Sequence, residues 1–398
     1  MLATQRTCFV VFTIFVFIAT FTYMAGYHET LLIETPYRTS TLTDRERLAQ
    51  IFQSVTHDPA ARSYVDPAGK HYEGGHPIWK KPLGRKILIV DIDTRAPTEK
   101  NNIFNPERMN WEALKKGGTD LVSTGILNHY LYAAIHGYDY KFYHARELKG
   151  HYSTWIRPHV IRELLPKYQF VVHMDADAMV SHLDLPLEWM FNRWGIQKET
   201  SMALPWDTEE IRNGSSISTD SMGLRVLNGG FIVAQNSTTT LEMLEAWRDC
   251  TTETRYKGCA NWKTQWSHEQ RAFSEYVRYD FNKTPETIVG IPCDDAMGFP
   301  GFREFVLNSP TVNEDISDCN GNMIQHYTSG KALAKGAGGV SAMQILSAVL
   351  QQQLLGHKRV LWYSEPWPNP PPPKILQPAV EEDEKEEPPK LSGLLIEE

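Results

Sequence analysis

The sequence predicts an α/β fold of the doubly wound kind, with a mostly parallel central sheet. Three observations carry that expectation. Lys86-Ile87-Leu88-Ile89-Val90-Asp91-Ile92-Asp93 is a continuous apolar run with acids at its end, the pattern of a strand buried on both faces. Residues 170–174 form a second such run, and Asp175 and Asp177 follow it. Between the two runs, helical and strand patterns alternate. Strand, helix, strand, helix, strand is the order of a doubly wound half-domain.

The elements follow in chain order. Residues 121–136 read as a helix, apolar at Val122, Ile126, Tyr130, Ala133 and Ala134, with Gly137 suited to the C′ position. Residues 138–144 read as a strand, and 155–165 as a helix stopped by Pro166. After the acidic pair, 183–187 starts an irregular crossing, and 202–205 is a short strand. Residues 207–223 are polar and rich in Ser and Thr, the composition of a surface loop. Residues 226–233 form a strand interrupted by Gly229 and Gly230, and glycine inside a strand marks a bulge or the close approach of a ligand. Leu241, Leu244 and Trp247 give one face of a helix ending near Cys250. Residues 267–279 form a further helix, and 287–291 and 323–326 are late strands.

The flanks have a different character. Residues 8–25 are apolar and uncharged, long enough for one bilayer crossing. Arg6 precedes them, which places residues 1–7 in the cytosol and the rest of the chain in the lumen. A cleaved signal peptide is the rival reading, but no small-x-small site follows Tyr23. Residues 27–84 are polar, with Gly74, Gly75, Pro77 and Pro82, and read as a stem that includes a short helix over 43–54. The main domain is expected over 85–365. Residues 366–398 begin with a proline stretch and end in an acidic tail too poor in apolar residues to fold alone. That tail holds eight acids against two lysines, so it carries most of the net charge of −8. The remainder is nearly neutral, which excludes a basic nucleic-acid surface. Asn213, Asn236 and Asn282 head glycosylation triplets. Beyond residue 25 there are four cysteines, Cys250, Cys259, Cys293 and Cys319. Of their three pairings, Cys250–Cys259 with Cys293–Cys319 is preferred.

The chemistry centres on Asp175-Ala176-Asp177. If the chain stays extended, residues i and i+2 point the same way, so both carboxylates emerge at the carboxyl end of the strand, where open α/β sheets bind ligands. Converging carboxylates repel unless a cation lies between them, and a divalent ion carrying a phosphate-bearing substrate fits. The plainer alternative is a pair of capping or turn aspartates. His326 ends a late strand and could complete the coordination sphere, where Mn²⁺ accepts nitrogen better than Mg²⁺ does. Lys331 could reach a diphosphate. Asp91 and Asp93 end the first strand, where a nucleotide base or ribose would sit. Asn228-Gly229-Gly230 could line a pocket floor. Glu269 and Gln270 could face a sugar, although Ser267-x-x-Gln270 also fits a capping box. The sequence holds no nucleophilic serine elbow, no phosphate-cradling GxxxxGK[ST] loop and no zinc spacing.

Several of these pieces occur in one familiar order. They are residues 129–138 (HYLYAAIHGY), Trp155-Ile156-Arg157, Met174-Asp175-Ala176-Asp177-Ala178, Asn228-Gly229-Gly230-Phe231, His268-Glu269-Gln270 and His326-Tyr327-Thr328-Ser329-Gly330-Lys331. The set resembles the fungal galactosyl/mannosyltransferase family, glycosyltransferase family 34, which includes plant xylosyltransferases. The resemblance covers roughly residues 85–331. It implies a GT-A fold behind a single N-terminal transmembrane helix, as a type II Golgi membrane protein. It implies Mn²⁺-dependent, retaining transfer from UDP-galactose, UDP-xylose or GDP-mannose to a glycan on a glycoprotein or polysaccharide, and complexes with other glycosyltransferases. By the same resemblance Asp175, Asp177 and His326 would hold the metal, and Lys331 and Arg157 would neutralise the diphosphate. Gly229, Gly230, Glu269 and Gln270 would face the transferred sugar and acceptor. Arg157 stands where relatives often have Lys, and Glu269-Gln270 where an Asp-Gln pair is expected. The competing expectation is a non-catalytic glycan-binding or scaffold protein of the same fold, whose signature would be a broken metal triad.

Overall fold

The computed structural model describes residues 42–114, 118–309 and 314–364. The expected anchor at 8–25 and the tail at 366–398 lie outside the described residues. Two compact units are distinguished, Met1–Gln352 and Gln353–Glu398. In the second, the described part is the end of one helix and the short helix Lys358–Leu361.

The first unit is built on a six-stranded sheet, in the order Ile288–Ile291, Met202–Pro205, Phe231–Gln235, Phe170–Met174, Ile87–Asp93, Asp139–His144. Five strands run the same way. Phe231–Gln235 alone is reversed, lying antiparallel between Met202–Pro205 and Phe170–Met174. The period of two along each strand divides the core into two layers. Ile87, Ile89, Phe170, Val172, Phe231 and Val233 face one layer with Tyr132, Tyr138, Trp189 and Phe191. Leu88, Val90, Val171, Ile232 and Ala234 face the other, with Trp155, Ile161, Trp247 and Phe273. Both faces are covered, which explains why these strands read as unbroken apolar runs.

The expected strands and helices are found within about three residues, apart from a few informative differences. Residues 226–233 do not form one strand: the two glycines make a turn, and the strand starts at Phe231. Residues 207–223, expected as a surface loop, contain the strands Glu210–Arg212 and Ser215–Ser216, which join Asp315–Ile316 in a small sheet. Asp207 and Asp220 are buried there. Leu187–Arg193 is a helix where an irregular crossing was expected. The segment expected as a stem contributes Phe52, Tyr64, Tyr72 and Trp79 to the first core layer, and Asn192 Oδ1 accepts the backbone N–H groups of Ile78 and Trp79, both at 2.8 Å. The packed body therefore reaches back beyond the boundary expected at residue 85. The helix expected over 43–54 is Asp44–Phe52, with Thr43 and Glu46 forming a reciprocal capping box. The disulfides are Cys250–Cys259 and Cys293–Cys319.

Candidate active site

The site assembles at the carboxyl end of Phe170–Met174. The register of this strand against Phe231–Gln235 pairs Met174 with Phe231. One step further, the Asp175 N–H donates to the Gly230 carbonyl at 2.8 Å, so register alone sets the glycine pair beside the acids. The chain does not stay extended at Asp175. It turns, and the Ala178 N–H donates to the Asp175 carbonyl at 2.9 Å. Asp175 and Asp177 converge because of this turn rather than because of strand alternation. Helix Gly118–His136 packs directly on it: a Cβ on Gly125 would lie 2.9 Å from the Ala176 carbonyl oxygen. A side chain at 125 would therefore push against backbone.

His326 reaches the turn by strand pairing. Ala178–Val180 pairs antiparallel with Ile324–His326, with Ala178 opposite His326, and the Tyr327 N–H donates to the Asp177 carbonyl at 2.9 Å. One ligand atom from each of Asp175, Asp177 and His326 lies within 4.8 Å of the others. His326 is buried, and its Nδ1 lies 3.2 Å from the Met297 sulfur. The tautomer protonated at Nδ1 leaves the Nε2 lone pair facing Asp177, whose Oδ1 is 3.4 Å away. A Cβ on Gly230 would fall 2.2 Å from the His326 Cε1 atom and 3.0 Å from Asp175 Oδ2, so the glycine is the floor of this group. Two carboxylates and an imidazole around a common point suit a divalent ion of the Mn²⁺ type.

Cations surround the acids. Arg157 Nη2 donates to both Asp175 oxygens, at 2.6 and 2.5 Å, and its Nη1 donates to Glu269. Lys331 Nζ lies 3.0 Å from Asp177 Oδ2. Burial opposes the ionisation of Asp175, but the Arg157 guanidinium, His173 and His326 together outweigh it and hold the carboxyl far below its ordinary range. Burial likewise opposes ionisation of Asp177, and His326 and Lys331 outweigh burial and the Asp175 charge to keep its pKa low. Both acids are thus ionised and ready to coordinate.

Two clefts meet at this point. The first, of ≈ 330 Å³, is lined by Asp93, Arg95, Tyr152, Ser153, Arg157, Asp175, Asp177 and Lys331 among others. The second, of ≈ 220 Å³, is lined by Asp207, Asn228, Gly230, Trp266, His268, Glu269, Gln270 and His326, and shares Arg157, Asp175, Asp177 and Lys331 with the first. The first cleft sets Arg95, Arg157 and Lys331 among the carboxylates of Asp93, Glu147, Asp175 and Asp177, and the second adds the amides of Asn228 and Gln270.

Most of the residues singled out in the sequence meet here, and some have other work. Asp93 stays at the first cleft, chelated by Arg95 (Nη2–Oδ2 2.7 Å). Asp91 does not reach it. Its carboxylate turns inward to His129 Nδ1 at 2.6 Å and accepts from Tyr140 Oη at 2.5 Å, so it serves the core. The other His129 nitrogen lies 2.5 Å from the Ala178 carbonyl, at the end of the acidic turn. Arg157 spends its charge on two carboxylates. Glu269 is 1% exposed and is held by Arg157 and Thr154. The Ser267–Gln270 capping box does not form. Gln270 instead accepts from the Gly229 N–H at 3.0 Å and donates to Asp207 Oδ2 at 2.9 Å. Asn228 Oδ1 accepts from the Gly230 N–H at 2.8 Å, and its Nδ2 donates to Asp207 Oδ1 at 3.2 Å. Asp207 is thus the hub of the second cleft, and sequence reading passed it over because its Ser/Thr-rich surroundings look like a loop. Burial pushes its carboxyl up to about 6.

Residues 103–332 match the galactosyl transferase GMA12/MNN10 family, more than half of the chain. The chain belongs to this family. It is a glycosyltransferase, and its substrates are accordingly a sugar donor and a glycan acceptor. No curated protein sequence matches it. Solved structures similar to this transferase include a glycosyltransferase involved in glycosylation of the major capsid of PBCV-1. That pair shares 13% identity over 64% of this chain and 98% of the other, with a TM-score of 0.40. The transferase GlyE of Streptococcus pneumoniae TIGR4 shares 12% identity over 67% of this chain and 64% of its own, with a TM-score of 0.33. Mouse xyloside xylosyltransferase 1 shares 9% identity over 52% of this chain and 86% of its own, with a TM-score of 0.30.

Proposed function

We propose that this transferase moves a hexose, galactose or mannose, from a UDP- or GDP-linked donor to a glycan acceptor, using Mn²⁺ and retaining the anomeric configuration. The observation that carries the reading is the Asp175–Asp177–His326 group, with Asp177 and His326 buried and Asp175 half-buried, at the junction of two clefts that share Arg157 and Lys331. Those three residues would hold the ion. When bound, it supplies Lewis-acid stabilisation of the departing diphosphate. Lys331 adds a positive charge at the same cleft, and Arg95 stands beside it. Arg157 fixes the orientation of Asp175 and balances its charge when no ion does. Gln270, clamped by Asp207 and the Gly229 N–H, gives the second cleft a fixed polar wall against which a sugar can be oriented.

Retention is supported by the state of Glu269. It is the base that inversion would call for, yet it is fully buried and paired with Arg157 and Thr154. An acceptor hydroxyl attacking from the diphosphate side would pass its proton to the departing phosphate oxygen. The transferase is further proposed to act in the Golgi lumen, anchored through residues 8–25, on glycoprotein or polysaccharide acceptors and in company with other glycosyltransferases.

The test is thermal unfolding with UDP-galactose, UDP-xylose and GDP-mannose, each with and without Mn²⁺. One donor is expected to raise stability only together with the ion, by about 2.7 kcal/mol at a hundredfold excess over Kd. Asp175→Asn with Asp177→Asn is expected to abolish both that shift and transfer. Full turnover by the double variant would sink the assignment.

A further inference from the structure

Helix Ala334–Gly356 carries two opposed apolar stripes, and each needs apolar surroundings. Its buried residues Ala334, Gly338, Ser341, Ile345 and Val349 recur at three and four positions and form one stripe. That stripe faces helix Gly118–His136, where Asn128 Nδ2 donates to Ser341 Oγ at 3.0 Å. The opposite stripe faces solvent: Val340 is 69% exposed, Met343 63%, Leu346 40% and Leu350 50%. Beside it runs an apolar groove of ≈ 450 Å³, walled by Trp111, Leu127, Tyr130, Leu131, Met343 and Leu346.

Charge indicates what covers this face. From Cys319 to Ser364 the sequence contains no Asp or Glu, but it has Lys331, Lys335, Lys358 and Arg359. Shortly after the helix, behind Lys358 and Arg359, come Val360, Leu361, Trp362 and Tyr363, all exposed. An apolar stripe followed by basic and Trp/Tyr residues is the composition of a helix lying at a lipid–water interface. A second copy would bring the same acid-free segment against itself, since a two-fold contact uses the same patch twice. A full crossing is ruled out by the stripe committed to the protein body.

We propose that helix Ala334–Gly356 docks on an anionic lipid surface, with Val340, Met343, Leu346 and Leu350 among the acyl chains. This contact is separate from the crossing proposed for residues 8–25 and does not depend on which sugar is transferred.

The test uses the full chain in phosphatidylcholine–phosphatidylserine vesicles. In a Cys8→Ser background, nitroxides are placed at Met343→Cys, at Leu350→Cys and, as a control on another exposed helix face, at Glu242→Cys. Paramagnetic resonance then compares collisions with oxygen and with a water-soluble nickel chelate. Labels at 343 and 350 are expected to favour oxygen, and the label at 242 to favour nickel. The oxygen preference is expected to weaken in vesicles of phosphatidylcholine alone. Nickel preference at 343 and 350 would overturn the proposal. So would spin–spin broadening between copies, or shielding from both relaxants, each of which reports a protein partner. An oxygen preference equal in both vesicle types would overturn the anionic part.

Discussion

The two halves of the cleft use the same residue type in opposite ways. On one side buried Asp177 and half-buried Asp175 sit among Arg157, His326 and Lys331, and their carboxyls are held low. On the other, Asp207 is buried like Asp177 but is met by the amides of Asn228 and Gln270 and the Thr208 N–H. Amides solvate a carboxylate without neutralising it, so burial wins and the carboxyl rises to about 6. The difference shows that burial alone does not decide ionisation in this cleft. A full countercharge makes an acid a permanent anion fit for a metal, whereas dipoles alone make it a group that titrates near neutrality.

Breaking the charge balance on the first side has the largest expected effect on stability. Arg157→Met leaves Asp175 and Glu269 without their shared cation, and about 3–5 kcal/mol of stability is expected to be lost in chemical denaturation. Adding Glu269→Gln to that variant is expected to return part of it. A loss under 1 kcal/mol would mean that water or His173, 3.1 Å from Asp175, already carries the load.

The second side gives a smaller effect of opposite sign in pH. The folded-state pKa of Asp207, about 6, lies above its ordinary value of 3.8. Between those values the folded chain keeps a proton that the unfolded chain has released, so this contribution to stability falls as pH rises through 4 to 6. Asp207→Asn removes the slope and is expected to gain about 1–3 kcal/mol above pH 6. Asp175 and Asp177 have depressed values, so their contribution is present above the ordinary carboxyl pKa and is lost as pH falls below it. Denaturation curves across pH, with and without Asp207→Asn, separate the two slopes.

The smallest stability effect belongs to Lys331. Its side chain is 53% exposed, and Lys331→Met is expected to change stability by no more than about 1 kcal/mol. The same variant is expected to lower kcat by roughly 10²-fold. Unchanged turnover would remove Lys331 from the catalytic side of the comparison.

Much of this arrangement was legible in the residues. Strands buried on both faces announce themselves as apolar runs, and acids at their ends announce a site. The His326–Lys331 turn also read correctly as a neighbour of the acids. What stayed hidden depends on partners distant in sequence. Nothing near Asp91 reveals that His129 and Tyr140 claim it. Gln270 satisfies a local capping rule on paper, while Asp207 and Gly229 offer it better partners in space. Phe52, Tyr64, Tyr72 and Trp79 are too widely spaced to make a periodic pattern, so the segment they anchor reads as a polar stem. Helix Ala334–Gly356 shows no amphipathic period because both of its faces are apolar.

The pairing of Ala178–Val180 with Ile324–His326 has a consequence for biosynthesis. The two acids emerge from the ribosome long before the imidazole that completes their group, and the strand that delivers His326 closes one of the longest loops in the domain. Closing such a loop is slow, so the acid–imidazole group is complete only after this late strand has paired. A nascent or truncated chain ending short of residue 326 leaves Ala178–Val180 an open edge and a carboxylate pair without its third ligand. The pairing of that edge and the completion of the candidate metal group therefore depend on the same short piece of β-structure.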